Sequence, residues 1–184
     1  MRQHFVFPSH GAVLFLVALA CQSRDRAVND STVTPASDTT PTASASAKSN
    51  PYSLAQFAQL RWLEGRWRGT LPDGGFFYEQ YRWLDDSTIV MHAFGDSAFA
   101  RATDSARVSL RFGVVANEGI TARWVATRLD SAAVEFIPRR GASNGFTWVR
   151  ESPDRWTATL QSPSGDGRMR STVYHVERVG RVAQ

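Results

Sequence analysis

The chain has 184 residues, 42% of them apolar, and a formal net charge of +4 from 21 basic and 17 acidic side chains. Every basic residue but Lys48 is an arginine, and the arginines are interleaved with carboxylates. That pattern lacks the clustered basic stripe that phosphate backbones require, so nucleic acid is excluded as a partner.

The N-terminal stretch Met1 to His10 carries Arg2 and no acid, and Gly11 to Ala20 follows as an uninterrupted apolar run. About ten apolar residues are too few to span a bilayer but match the core of a signal peptide. Ala18-Leu19-Ala20-Cys21 ends the run with small residues beside the chain's single cysteine. This resembles the lipobox read by bacterial lipoprotein signal peptidase, although Ala18 and Leu19 stand where Leu and a small residue are usual. The resemblance implies cleavage after Ala20 and lipidation of Cys21, with residues 1–20 removed. Several acyl chains on one residue make attachment effectively permanent, so the protein would work at a membrane surface in the cell envelope without spanning it.

From Gln22 to about Asn50 the composition turns to Ser, Thr, Ala, Pro and Asp, without an aromatic residue. Such a segment cannot bury enough apolar surface to offset its ordering entropy and reads as a disordered tether. Roughly 30 residues of this kind give a root-mean-square reach of about 30 Å.

Residues 51–180 hold all six tryptophans and read as one domain without internal repeats. No second cysteine is present for a disulfide, so packing alone must stabilise it. Leu54, Phe57, Ala58, Leu60 and Trp62 fall near helical spacing behind Ser53, an N-cap residue, and predict one short helix over 53–63. After Gly65, short alternating runs broken by Gly, Pro, Asp and Ser predict strands at 66–71, 76–84, 88–96, 106–116, 120–129, 133–137, 145–151, 155–161 and 169–178. About eight to ten such strands close most readily into an all-β, up-and-down antiparallel barrel, which leaves no edge unpaired.

Leu60-Arg-Trp-Leu-Glu-Gly-Arg-Trp-Arg-Gly69, followed by Tyr78-Glu-Gln-Tyr-Arg-Trp83, carries a further resemblance. Its Trp-Leu-x-Gly-x-Trp opening is similar to that of a bacterial domain-of-unknown-function family of small secreted proteins, and to the Gly-x-Trp opening of lipocalins and nitrobindins. The resemblance implies that Gly65 admits the chain to the first strand and that Trp67, with Trp62 near it, plugs the closed end. The unknown-function family also carries a Phe-x-x-Pro turn followed by His-Asp-Phe-Pro. Here only Phe136-Ile-Pro138 and then Arg139 to Asn144 stand in that region, so an activity resting on that motif would be lost or changed. A nitrobindin-like haem would need a late-strand histidine, and His175 falls in that region with neighbours that do not match. No cofactor is assigned.

Catalytic signatures are thin. Beyond the N-terminal stretch only His92 and His175 remain, without metal-ligand spacing, and no nucleophile elbow, phosphate loop or dinucleotide fingerprint is present. Neither an enzyme nor a metal site is expected. The informative feature is which residues share a strand face. Period two places Phe77, Glu79, Tyr81 and Trp83 together, then Ile120, Ala122, Trp124 and Ala126, then Phe146, Trp148 and Arg150, and then Trp156, Ala158 and Leu160. If these faces are inward, small residues opposite tryptophans leave space. Glu79, Tyr81, Trp83, Trp124, Trp148 and Arg150 would then line a pocket for a small apolar or amphipathic ligand, with Glu79 paired to Arg150. The alternative turns Phe76, Tyr78 and Leu84 inward, sends Glu79 to solvent and makes the barrel a solid scaffold. The sequence leaves the ligand and the oligomeric state open.

Overall fold

The computed structural model describes residues 51–180. Residues 1–50, with the segments expected to be signal peptide and tether and with Cys21, lie outside the described residues. A short α-helix, α1 (Leu54–Phe57), runs into a 3₁₀ helix (Ala58–Leu63). Ser53 caps α1 through a capping box, its hydroxyl accepting from the Gln56 amide while the Gln56 side chain accepts from the Ser53 amide.

Ten strands follow: β1 (Gly65–Thr70), β2 (Phe76–Asp85), β3 (Thr88–Phe94), β4 (Ala102–Arg111), β5 (Val114–Glu118), β6 (Arg123–Leu129), β7 (Ala133–Pro138), β8 (Gly145–Ser152), β9 (Arg155–Pro163) and β10 (Met169–Arg178). Each pairs antiparallel with its sequence neighbours, and β1 closes on β10, so the sheet is the expected up-and-down barrel. Closure removes the exposed edges that a meander would otherwise offer to other chains.

One predicted strand is two. The run over 106–116 is broken by Phe112 and Gly113, both with positive φ (51° and 75°), in a two-residue hairpin between β4 and β5. Two consecutive left-handed residues match the twist of the flanking strands. Phe112, read as an apolar strand residue, is therefore at a turn tip and fully exposed. The sixth strand also begins later than expected, at Arg123, and Ile120 is 82% exposed in the preceding loop.

The helical segment closes one end of the barrel. Phe57, Leu60, Trp62 and Leu63 are buried and join Trp67 and Trp156 in the core, where Trp156 meets Trp62 and Trp67 edge-on at 6.0 Å each. Trp67 Nε1 donates to the Leu63 carbonyl at 2.6 Å. Arg178, the last residue of β10, lies 4.1 Å over the Trp67 ring and donates to the carbonyls of Glu64 (2.7 Å), Pro153 (3.1 Å) and Trp62 (3.3 Å). One guanidinium thus satisfies carbonyls that the helix end leaves orphaned and ties the first strand to the last. Gly65 sits at φ +131°, and a side chain there would run into Arg178 Nη1. Glycine is favoured at this point by the positive φ, and a side chain would also displace the Arg178 guanidinium from its carbonyls.

Candidate functional site

Strand alternation places Phe77, Glu79 and Tyr81 of β2 inside the barrel, where all three are buried, and leaves Phe76 and Leu84 exposed. Glu79 pairs across the ladders with Trp67 on β1 and Ala93 on β3. Among the described residues it is the one buried charged side chain. Its partner is the Tyr81 hydroxyl, which donates to Glu79 Oε2 at 2.8 Å.

A small enclosed cavity of about 20 Å³ adjoins this pair. Met91, Ala106, Val108, Asn117, Trp124, Phe146 and Trp148 complete its sides, so six strands contribute to it. The volume holds about one water-sized guest, far below the few hundred Å³ of a drug-sized pocket. Two buried polar atoms on its lining residues, Asn117 Oδ1 and Trp148 Nε1, have no hydrogen-bond partner in the protein. Asn117 lies opposite Trp124 in the short β5–β6 ladder, and Trp124 is fixed by its Nε1 donating to the Asn144 carbonyl at 2.7 Å. Trp148 is held by edge-on neighbours, Tyr81 at 5.9 Å, Phe136 at 5.4 Å and Trp156 at 5.7 Å.

The electrostatics follow from burial without a counter-charge. Desolvation raises the Glu79 carboxyl to about 7, against a smaller opposing effect of the Tyr81 hydrogen bond. Burial, with the carboxyl beside it, pushes the Tyr81 phenol well above its usual range. At neutral pH the site therefore sits at the balance point between a neutral acid and a carboxylate.

Four of the six expected lining residues are brought together, namely Glu79, Tyr81, Trp124 and Trp148. Trp83 is not among them. It lies near the closed end, just before a bulge, where its ring meets Phe57 edge-on at 5.2 Å and Arg61 lies 4.4 Å over it. Arg150 is not among them either, and the Glu79–Arg150 pair is corrected. Arg150 pairs with the buried Trp156, but it stands at the end of the β8–β9 ladder beside a bulge and is exposed. No arginine is buried among the described residues. His175 is exposed on β10 and His92 is half-buried on β3, and neither lines the cavity. Met91, Ala106, Val108 and Asn117 are lining residues absent from the expected face sets, and Asn117 is the polar one among them. A carboxamide within Val114-Val-Ala-Asn117 was the available signal, concealed by treating 106–116 as one strand.

No protein-family model matches the chain, and no curated protein matches it. Among solved structures it is similar to a redesigned beta barrel, b11L5F_LGL, at 12% identity and a TM-score of 0.32, over 65% of this chain and 93% of that one. It is also similar to EF1p2_mFAP2b, solved bound to DFHBI, at 13% identity and a TM-score of 0.34, over 69% of this chain and all of that one. At such values neither likeness carries a statement about function.

Proposed function

We propose that this chain is a lipid-anchored envelope protein whose barrel binds a small molecule without catalysing a reaction. The observation that carries the reading is the largely enclosed cavity against the one carboxyl buried among the described residues, beside an unpartnered carboxamide oxygen and tryptophan walls. A few convergent polar groups in an apolar enclosure are what a ligand site needs. Buried polar atoms left unpartnered are costly in a core serving packing alone. The guest is small or presents a small polar end here, and a lipid-sized molecule would require the walls to part. A fatty-acid head is disfavoured because the interior supplies an acid and no guanidinium to receive it.

The lipobox-like Ala18 to Cys21 supports the anchor, and the Trp62 to Trp67 opening supports a relation to the family of small secreted proteins. Native mass spectrometry of the full chain purified from its own host tests the binding reading. A copurified small molecule that is lost on Glu79→Gln supports it, whereas bare protein mass under every gentle condition counts against it. Cys21→Ser should abolish membrane partitioning, and unchanged partitioning and mass would refute the anchor. A second reading, a scaffold with a solid barrel, is favoured by the smallness of the cavity, and bare protein mass would decide for it.

A further inference from the structure

The buried polar atoms around the cavity are mostly acceptors, the indole N–H of Trp148 being the exception. Glu79 offers a carboxyl, Asn117 an unpartnered Oδ1, and Tyr81 an oxygen whose proton is already given to Glu79. Trp124, Phe146 and Trp148 supply aromatic walls and Met91 a polarisable sulfur. No cationic side chain answers them, since among the described residues no arginine is buried. A buried carboxyl ringed by acceptors and aromatic rings is complementary to a compact cation with N–H donors.

Resting on the binding reading above, we infer that this cavity seats a small ammonium ion, NH₄⁺ or methylammonium, between Glu79, Asn117 and the tryptophan walls. Two of the N–H donors can serve Glu79 and Asn117 Oδ1, leaving the remainder toward the rings. The volume admits one guest of water size, so NH₄⁺ fits as the barrel stands. A methyl group needs the lining to give, and Met91, with its unbranched chain, is the lining residue best able to do so. Sodium, which wants several oxygens and gains little from a single carboxyl, is a poor match.

Binding moves one proton. The neutral Glu79 acid gives its hydrogen to solvent and the cation pairs with the carboxylate left behind, so charge inside the barrel stays at zero. The titratable groups at inward positions nearby are Tyr81 on the same strand, Asp104, which shares the rung of Glu79 through Ala93, and Tyr174 on β10. Of these, Glu79 changes state in the neutral range, so affinity for the cation rises with pH. Trp148 Nε1 is a buried donor at the wall without a partner. A neutral hydroxyl could accept from it where ammonium cannot, which makes an alcohol the competing guest.

The test is a titration of the full chain, followed by tryptophan fluorescence, with ammonium and methylammonium chloride against sodium chloride of equal ionic strength and against methanol. A saturable response to the ammonium salts alone is expected, roughly tenfold tighter at pH 8 than at pH 6 because a group titrating near 7 is mostly neutral at the lower pH. Calorimetry in buffers of different ionisation enthalpy should show release of up to one proton at pH 6. Glu79→Gln, a neutral isostere, should weaken binding at least tenfold and abolish the pH dependence, and Asn117→Leu should weaken it without abolishing the pH dependence. Saturable, pH-independent binding of methanol would overturn the cation while leaving the binding barrel in place. No saturable response to any probe would overturn the cation, and that result together with bare protein mass from the native host would remove the binding reading with it.

Discussion

The closed end and the middle of this barrel are built from the same residue types and solve opposite problems. At the closed end Trp67, Trp62 and Trp156 interlock edge-on, Trp67 Nε1 finds the Leu63 carbonyl, and Arg178 gathers carbonyls from Trp62, Glu64 and Pro153. A few ångströms along the axis, Trp124 and Trp148 stand around a void with a carboxyl and a carboxamide beside it. The indoles do not make the contrast, since Trp62 and Trp156 also leave Nε1 without a partner. The difference lies in Glu79 and Asn117, groups that packing does not require. A plug gains from removing polar atoms, whereas a site keeps them at a cost in stability.

The largest effect that sharpens this comparison is expected at the plug. Trp67→Ala should lower stability by about 3 to 5 kcal/mol, as for other large-to-small changes at packed aromatic positions, and denaturant unfolding will measure it. A loss below about 1 kcal/mol would mean that the helix and not Trp67 closes the barrel.

Next comes the site carboxyl. The folded state holds Glu79 at about 7 while the unfolded chain returns it to 4.5, so the native state binds more protons between these values. Stability from this group is full below about pH 4.5, falls as pH rises and levels off above about 7. The loss is roughly 3 kcal/mol in all, at about 1.4 kcal/mol per pH unit. Glu79→Gln removes this dependence, so unfolding free energies of the two proteins should diverge from pH 4 to pH 8 in favour of the variant. Parallel curves would place Glu79 in a solvated environment.

Smaller again is Tyr81→Phe, which removes the one hydrogen bond donated to the Glu79 side chain among the described residues. About 1 kcal/mol is expected below pH 6 and more above pH 7, where the bond is charge-assisted. The carboxyl should also titrate higher, which can be followed by carbon NMR. Smallest is Arg150→Ala. An exposed residue at the end of a ladder should change stability by less than about 0.5 kcal/mol and leave ligand binding untouched.

The two regions also differ in how far they could be read from residues alone. The plug is local in sequence: Trp62, Gly65 and Trp67 lie within one turn and one strand start, and Ser53 with Gln56 announces the helix before them. Alternation along β2 put Glu79 with Tyr81 on one face and Phe76 with Leu84 on the other, but which face is inward is decided by the structure, in favour of Glu79 and Tyr81. The cavity, however, depends on register between strands far apart in sequence, which alternation does not fix. Asn117 became visible as a lining residue only once the Phe112–Gly113 hairpin had separated β4 from β5, and a phenylalanine at a left-handed turn position gives little warning of that break. Arg150 shows the converse failure. Its parity was right, but parity does not say where along the axis a strand leaves the barrel, and the bulge before Ser152 leaves it in solvent.

The central claim is a carboxyl kept neutral inside the barrel at the cavity wall, and infrared spectroscopy addresses it most directly. At pH 5.5 the full chain should show a carbonyl-stretch band of a protonated acid in a dry environment, absent in Glu79→Gln, that disappears through a midpoint near pH 7. A band that is lost with an ordinary carboxyl midpoint, or that Glu79→Gln leaves in place, would contradict the claim.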